Sequence, residues 1–152
     1  MLELVRIEAS EASRALEAGG DLAGKRWSDG AASADDLTVL GIAADGVPTW
    51  LVMDEHRVLG MCGTHAPVIE GQSAEIGYHV AEGERHRGLA GMAVRLLLDE
   101  LEALGASEVR AEVDRGSRWA DASRAVLVSC GFAATSPDSE LPRVDRFIVS
   151  LS

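Results

Sequence analysis

Alternating apolar and polar residues predict six β-strands in this chain. The first segment, LELVRIEA, alternates over its whole length, and the others alternate or form short apolar runs bounded by turn residues. The second and third are separated by the tight turn Glu55-His56-Arg57, which predicts a hairpin. In chain order, the predicted strands cover residues 2–9, 49–54, 58–65, 74–80, 107–114 and 146–151.

Apolar residues spaced three and four apart predict a long amphipathic helix over residues 89–105. Its polar face carries Arg95, Asp99 and Glu102, and Gly105 fits the left-handed position that follows a helix end. The predicted buried face consists of Leu89, Met92, Ala93, Leu96, Leu97, Leu101 and Leu104.

The same periodicity predicts two shorter helices. The first covers residues 10–20, with Ser10 as its N-cap and Gly19 as its stop. The second covers residues 117–130. Its predicted inward face carries Trp119, Ala122, Val126, Leu127 and Cys130.

The order of these elements predicts one mixed sheet. Residues 20–36 read as a loop, and the type of the apolar stretch 37–43 is open. The strand–helix–strand succession in the second half implies at least one parallel pair, whereas the leading strands imply antiparallel pairing. We therefore expect an α+β, three-layer fold, with helices on both faces of a central mixed sheet, in a single domain over residues 1–152.

The composition is that of a globular protein with a strongly acidic balance. Hydrophobic residues make up 47% and charged residues 26% of the 152 residues, and the formal net charge is −11. This charge argues against nucleic acid as a partner, because nucleic-acid binding requires Lys and Arg to neutralise phosphates. It favours a cationic partner such as an amine, or it serves solubility alone.

Targeting and metal-binding patterns are not found in the sequence. The first residues do not resemble a signal peptide, and no apolar run approaches the ~20 residues of a membrane span, so a cytoplasmic location without a membrane partner is expected. Cys62 and Cys130 lie in apolar contexts and are expected to be reduced core residues. The four His are scattered, and no metal site is expected.

The stretch ERHRGLAGMA, residues 84–93, carries the candidate chemistry. Three consecutive basic residues precede the long helix, whose first turn leaves amide N–H groups unpaired and carries partial positive charge. Gly88 and Gly91 let an anion approach the backbone closely. The stretch therefore predicts a phosphate or pyrophosphate site; the alternative is a solvated charged loop whose glycines serve only the turn.

Arg85-x-x-Gly88-x-Ala90 resembles the Arg/Gln-x-x-Gly-x-Gly/Ala signature of the GNAT superfamily of acyl-CoA-dependent N-acyltransferases. EIGYHV resembles the strand before that signature in the ribosomal-protein N-terminal (RimJ/RimL-like) branch. SRAVLVSCGF resembles a helix end of the same branch. The resemblance implies the GNAT fold, with acetyl-CoA as the co-substrate.

In that fold, the sheet splays between the strands at about 75–80 and 108–114. The resemblance implies that the backbone of the first strand pairs with the pantetheine arm, and that loop amides bind the pyrophosphate. By this resemblance, the cofactor-binding residues are Tyr78, Val80, Arg85, His86, Arg87, Gly88, Leu89, Ala90 and Gly91.

Acyl transfer to an amine needs a base for the amine and an N–H donor for the developing oxyanion. The resemblance supplies the donor as a backbone N–H near His79 or Val80. Glu75 is the first choice for the base, because it opens the central strand beside the expected cleft; the alternative is a strand-edge carboxylate in solvent. His79 and His65 follow, since the unperturbed pKa of His suits this work, although a lone strand His is more often structural.

The proton donor for the departing thiolate is where the sequence departs from the family pattern. Ala120 stands where many relatives carry Asn, and Leu127 stands where the Tyr often used as the acid falls. Ser123 matches the pattern's Ser/Ala position and is the remaining side-chain candidate. The alternatives are water, no acid at all, an inefficient enzyme, or a helix-surface role for Ser123.

The acceptor site has three candidate residues. Trp27 lies in the loop that usually shapes acceptor binding in this family, and His65 and Asp114 flank the expected cleft. A turn or capping role is the alternative for Asp114.

We expect direct transfer of an acetyl group, through a ternary complex, to a peptide N-terminus or a small-molecule amine. A homodimer is one expected assembly, because dimers are common in the family. The alternatives are a non-catalytic acyl-CoA-binding module and a purely structural domain.

Overall fold

An eight-stranded mixed sheet forms the centre of the protein in a computed structural model that describes residues 1–135 and 143–151. The strands are β1 (Leu2–Arg6), β2 (Arg26–Trp27), β3 (Thr49–Asp54), β4 (Arg57–Thr64), β5 (Ser73–Val80), β6 (Glu108–Asp114), β7 (Ala133–Ala134) and β8 (Val144–Ser150). In space, they follow the order β1-β3-β4-β5-β6-β8-β7, and β2 pairs with β4. The β2–β4 and β5–β6 pairs are parallel and the others are antiparallel, as predicted for a mixed sheet.

Helices cover both faces of this sheet and bury its two apolar sides. The helices are α1 (Ala9–Glu17), α2 (Ala34–Ala44), α3 (Leu89–Ala103) and α4 (Ala120–Ser129). One core cluster, with Leu97, Leu101 and Leu127 among its fully buried residues, lies on the side of α3 and α4. The other, which includes the fully buried Leu40 and Met61, lies on the side of α1 and α2. This arrangement confirms the predicted three-layer fold class.

The sheet splays open between β5 and β6. Their parallel register covers only Ser73–Glu75 against Glu108–Arg110. Beyond that point, β5 remains paired with β4 as far as Val80, and β6 remains paired with β8 as far as Asp114. A wedge therefore opens between the second halves of β5 and β6, as the family resemblance implies.

Helix α2 resolves the stretch whose type was open. Its N-terminus is a capping box: the Asp36 amide donates to Ser33 Oγ at 3.1 Å, and the Ser33 amide donates to Asp36 Oδ2 at 2.8 Å. Ser33-x-x-Asp36 ahead of an apolar run is the sequence signature of this cap. The preceding segment, expected to be loop, contains the short strand β2.

The start of α1 differs from the prediction. Its N-cap is Glu8, and the helix begins at Ala9, so the assignment of Ser10 as the cap is wrong. The cap residue Glu8 makes no side-chain capping bond. The predicted stop holds, because Gly19 follows the helix with a positive φ of 70°.

The buried face of α3 is rotated relative to the prediction. Met92 is 45% exposed and Leu104 is 41% exposed, although both were expected to be buried. Val94, which was not on the predicted face, is fully buried. The core contact follows Ala93, Val94, Leu97 and Leu101, whose spacing matches the ridge that packs on the sheet.

Helix α4 begins at Ala120, three residues later than predicted, and its predicted inward face is mostly not core. Trp119 and Ala122 are exposed, and Val126 and Cys130 are only half-buried. Leu127 alone of that face is fully buried. The reason is that this side of α4 faces a cavity rather than the sheet. Within the part of the chain that the structure describes, no helix has the length and apolar character needed to cross a membrane.

Candidate functional site

The wedge between β5 and β6 leads into a cavity of about 390 Å³, called here the first cavity. Its walls are the end of β5, the loop and first turn of α3, and the start of α4. All the predicted cofactor-binding residues line it except Arg87. The structure therefore brings together segments that the sequence analysis grouped by resemblance.

The backbone of β5 presents hydrogen-bonding groups to this wedge. The His65 amide donates to the Glu75 carbonyl, and the Ala81 amide donates to the Leu59 carbonyl, at the two ends of the β4–β5 pairing. Because hydrogen-bonded and non-hydrogen-bonded pairs alternate along an antiparallel ladder, residues 77 and 79 also bond to β4. The N–H and C=O groups of Tyr78 and Val80 therefore point away from β4, into the wedge.

The loop before α3 presents free backbone N–H groups at the first cavity. Gly88 is the N-cap of α3 with a left-handed φ of 73°, and His86 adopts a positive φ of 66°. The first-turn amides at 89–91 have no partner within the helix, and they carry the positive end of its dipole. A Cβ on Gly88 would meet nothing within 4 Å, so the backbone conformation rather than crowding requires this glycine.

Two guanidinium groups lie on Trp119 at the rim of the first cavity. The Arg85 Cζ is 4.3 Å and the Arg118 Cζ is 4.7 Å from the centroid of its ring. Neither guanidinium forms an ion pair with a described residue. This stacking explains why Trp119 lies outside the core, and it places positive charge at the rim.

Glu84 ties the loop before α3 to β4 through ion pairs. Its carboxylate is buried and forms ion pairs with Arg57 of β4 and with Arg87. Because Glu84 holds its guanidinium, Arg87 does not line the first cavity, contrary to the sequence expectation. Of the three consecutive basic residues 85–87, Arg85 and His86 line the first cavity.

A second cavity, of about 210 Å³, lies on the α2 side of the sheet. Asp35 and Thr38 of α2 line one wall, and His65 lines another. Tyr78 and His79 line both cavities. Strand β5 therefore lies between the two cavities, which share Tyr78 and His79 as lining residues.

His79 is hydrogen-bonded to Asp36, a residue that the sequence analysis did not consider. The His79 Nε2 and Asp36 Oδ1 atoms are 2.6 Å apart, and both side chains are largely buried. Burial raises the pKa of Asp36, but hydrogen bonds from His79 and Ser33 outweigh this effect and leave the pKa below its ordinary value. Asp36 is therefore a carboxylate at neutral pH.

Glu75 occupies a different environment from His79. It lines a third cavity of about 270 Å³, beside β6 and β8, rather than either of the first two cavities. Its Oε2 atom is 3.6 Å from Nδ1 of His65. A Cβ on Gly77 would lie 2.9 Å from Nε2 of His65, so this glycine gives the His65 ring its place against β5.

Two of the predicted substrate residues line neither of the first two cavities. Trp27 is buried in the core on the α1–α2 side, where its Nε1–H donates to the Gly20 carbonyl at 2.7 Å. Pairing of β2 with β4 draws this large apolar ring inward. Asp114 Oδ1 accepts a hydrogen bond from the Gly116 amide at 2.8 Å, which is the alternative turn role.

Three hydroxyl-bearing residues, Ser117, Ser123 and Tyr78, line the first cavity. Ser123 lies on its wall, and the Tyr78 hydroxyl donates to the Ser123 carbonyl at 3.5 Å. Burial raises the pKa of Tyr78, so the phenol is protonated at neutral pH. Leu127 and Ala120, which stand at the family's Tyr and Asn positions, are buried.

Neither a metal cluster nor a reactive Cys62 thiol occurs in the part of the chain that the structure describes. Among residues 1–135 and 143–151, no cluster of three or more His, Cys, Asp or Glu side chains could hold a metal ion. Cys62 is buried, and burial raises the pKa of its thiol to about 12, so it is not a nucleophile.

Sequence comparison gives a family match across most of the chain. The model of the acetyltransferase (GNAT) domain matches residues 7–133. A search of curated proteins finds no match.

Comparison with solved structures gives many matches, of which three illustrate the range. RimL, a ribosomal L7/L12 alpha-N-protein acetyltransferase in complex with coenzyme A, superposes with a TM-score of 0.67 at 15% identity, over 99% of this chain and 94% of that one. YncA, a putative acetyltransferase from Salmonella typhimurium with acetyl-CoA, gives 0.63 at 17% identity, over 99% and 94%. A dodecameric spermidine N-acetyltransferase from Vibrio cholerae gives 0.65 at 16% identity, over 98% and 93%. At these identities, the likeness shows a shared fold.

Proposed function

Because the chain belongs to the GNAT family of acetyltransferases, we propose that it transfers an acetyl group from acetyl-CoA to a primary amine in a ternary complex. The observation that carries this proposal is that two cavities, on the α3–α4 side and the α2 side of the sheet, meet at Tyr78 and His79. One cavity suits CoA and the other suits an amine. The thioester and the nitrogen then meet at β5, and no acyl-enzyme is needed.

The donor set of the first cavity fits the charged part of acetyl-CoA. The amides at 89–91 and the left-handed Gly88 offer backbone donors to a pyrophosphate, and Arg85 adds a full positive charge beside them. The outward-facing N–H and C=O groups of Tyr78 and Val80 offer an extended arm the hydrogen bonds of an added strand. These groups supply the kinds of donor and acceptor with which a pyrophosphate and an amide-containing arm form hydrogen bonds.

The same alternation of β5 favours one oxyanion donor over the other. The N–H of His79 belongs to the β4–β5 ladder, whereas the N–H of Val80 points into the wedge. Val80 is therefore the donor that stabilises negative charge on the carbonyl oxygen of the bound thioester.

His79 is the base in this proposal, and Glu75 is not. His79 lies where the two cavities meet, so its ring takes a proton from the acceptor nitrogen. Glu75 lines a different cavity, with His65 as its ionic neighbour. On the other side of β5, Ser123 and Tyr78 line the first cavity, and we propose their hydroxyl groups as proton donors to the leaving thiolate.

The second cavity favours a slender, cationic acceptor. Its volume is about 210 Å³, and Asp35 contributes a carboxylate to its wall. The net charge of −11 also attracts a cationic amine. Both a peptide N-terminus and a small polyamine meet these conditions, and structural relatives act on each kind.

Calorimetric titration with acetyl-CoA and with CoA is the first test, followed by turnover with N-terminal peptides and with polyamines. Micromolar binding and turnover of either acceptor class support the proposal. Binding without turnover across the panel supports the alternative, a non-catalytic acyl-CoA-binding module. Absence of binding leaves only a structural role for the scaffold.

A further inference from the structure

We infer that Asp36 is a positioning residue of the transfer site, holding His79 in the tautomer whose Nδ1 is free to accept the proton of the acceptor amine. The inference rests on the proposed function, because the proton concerned is that of the acceptor. It adds a residue from α2, 43 positions away from His79 in the chain.

The tautomer follows from the chemistry of the contact. An ionised carboxylate has no proton to donate, so the 2.6 Å contact requires a proton on Nε2 of His79. In the neutral ring, the other nitrogen, Nδ1, then carries the lone pair. No described residue forms a hydrogen bond with Nδ1, which leaves it available to a substrate.

Burial and a second hydrogen bond hold the Asp36–His79 contact in place. The side chains of Asp36 and His79 are 11% and 21% exposed. Each Asp36 oxygen has its own partner: Oδ1 contacts His79, and Oδ2 accepts the Ser33 amide of the capping box. The carboxylate is thus fixed by the N-terminus of α2, where the helix dipole also favours negative charge.

Helix α2 contributes both to the wall of the second cavity and to the contact with His79. Asp35 and Thr38, on either side of Asp36 in α2, line the second cavity. The helix that shapes the acceptor site therefore also sets the orientation and tautomer of His79. Carboxylate–histidine pairs with this division of roles are a recurring way to orient an imidazole base.

Asp36→Asn tests the inference, with turnover measured at saturating acetyl-CoA. Asn can still accept the Ser33 amide with its oxygen, so the cap survives. Its NH₂ group then faces Nε2 and holds the ring with the proton on Nδ1, which removes the base. We expect kcat to fall on the order of 100-fold, while the KM for acetyl-CoA changes by less than about twofold.

Two controls separate this effect from stability and charge. Ser33→Ala removes the cap but leaves the His79 contact, so it should lower Tm by about 2–4 °C and change kcat by less than about threefold. Asp45→Asn removes one negative charge at the other end of α2 and should leave kcat unchanged. A kcat for Asp36→Asn equal to wild type would overturn the inference.

Nitrogen NMR of the His79 ring supplies a readout that does not depend on activity. In wild type near pH 8, we expect a protonated Nε2 and an unprotonated Nδ1, and in Asp36→Asn the reverse. The opposite tautomer in wild type would overturn the inference even if Asp36→Asn failed to fold. A wild-type protein without turnover, but with the expected tautomer, would refute the proposed function and retain the Asp36–His79 contact.

Discussion

At the scale of single residues, we expect substitutions of His79 and of Glu75 to have different effects on kcat, although both residues lie on β5. His79→Gln should lower kcat by about 10²- to 10⁴-fold, because the proposed base is lost. Glu75→Gln should change kcat by less than about threefold, since its carboxylate faces His65 and a separate cavity. Steady-state kinetics with the best acceptor from the panel measures both.

The matched control for this pair is His56→Gln. His56 is an exposed histidine of the β3–β4 turn, and it lines neither of the two cavities that meet at β5. Its replacement should leave kcat and both KM values at wild-type levels. If Glu75→Gln lost activity as fully as His79→Gln, the assignment of the base to His79 would be wrong.

Gly88 makes a second prediction at the residue scale. Gly88→Glu introduces a negative charge at the N-terminus of α3, where phosphate is proposed to bind, and it forces a side chain into a left-handed conformation. We expect binding of acetyl-CoA to weaken at least about 100-fold, which corresponds to about 2.7 kcal/mol. Calorimetry with purified, folded variant measures the loss.

Gly24→Glu is the matched control for Gly88→Glu. Gly24 has nearly the same φ, 74° against 73°, and a Cβ there would also meet nothing within 4 Å. The backbone penalty and the added charge are therefore shared, while the distance from the first cavity differs. Equal weakening of acetyl-CoA binding in both variants would show that charge or strain, rather than the site, causes the effect.

At the scale of elements, β5 has two chemically different edges. The amides of Gly77 and His79 are bonded to β4, whereas those of Tyr78 and Val80 face the wedge. Hydrogen exchange should therefore be fast at Tyr78 and Val80 in the free protein and slow by at least about tenfold with CoA bound. The amides of Gly77 and His79 should change little.

The expected alternation along β5 distinguishes pairing with the CoA arm from general stiffening of the protein. General stiffening of the protein by a ligand would slow exchange along the whole strand. Slowing at all four consecutive amides would therefore argue against strand-like pairing of the arm. No change at Tyr78 or Val80, despite measured binding, would place CoA elsewhere.

The elements also show which patterns can be read from sequence and which cannot. Period-two alternation indicates β1, β5 and β6, because a strand with one core-facing side must alternate. Strand β3 is instead indicated by an apolar run, and it is buried on both faces. The exposed face of α4 was mispredicted because a helix side that lines a ligand cavity has the same apolar spacing as one that packs in a core. Trp119 and Ala122 are examples: their spacing predicts core positions, but both residues line the first cavity.

In the candidate site, too, one feature can be predicted from the sequence and another cannot. The loop conformation before α3 could be predicted, since Gly88 and the helix start that follows it are neighbours in sequence. The Asp36–His79 contact was not predictable, because it joins α2 to β5 through tertiary packing alone. Ser33-x-x-Asp36 would have revealed the helix start, but not the second partner of the carboxylate.

At the scale of the whole molecule, the open wedge couples ligand binding to stability. Acetyl-CoA is proposed to fill the gap that β5 and β6 leave after Glu75 and Arg110, and it contacts groups that exist together only in the folded chain. At a concentration about 100 times its Kd, such a ligand stabilises the native state by about 2.7 kcal/mol, which for a protein of this size raises Tm by about 5–10 °C.

Thermal unfolding with acetyl-CoA, with CoA and with acceptor alone separates the contributions to this coupling. CoA should raise Tm about as much as acetyl-CoA, because the proposed contacts involve the pyrophosphate and the arm rather than the acetyl group. Gly88→Glu should abolish the shift, and Asp36→Asn should retain it, since Asp36 belongs to α2, which lines the second cavity and not the first. If Asp36→Asn lost the shift as well, the two cavities would not be independent, and the division of binding and proton transfer between the two sides of β5 would have to be abandoned.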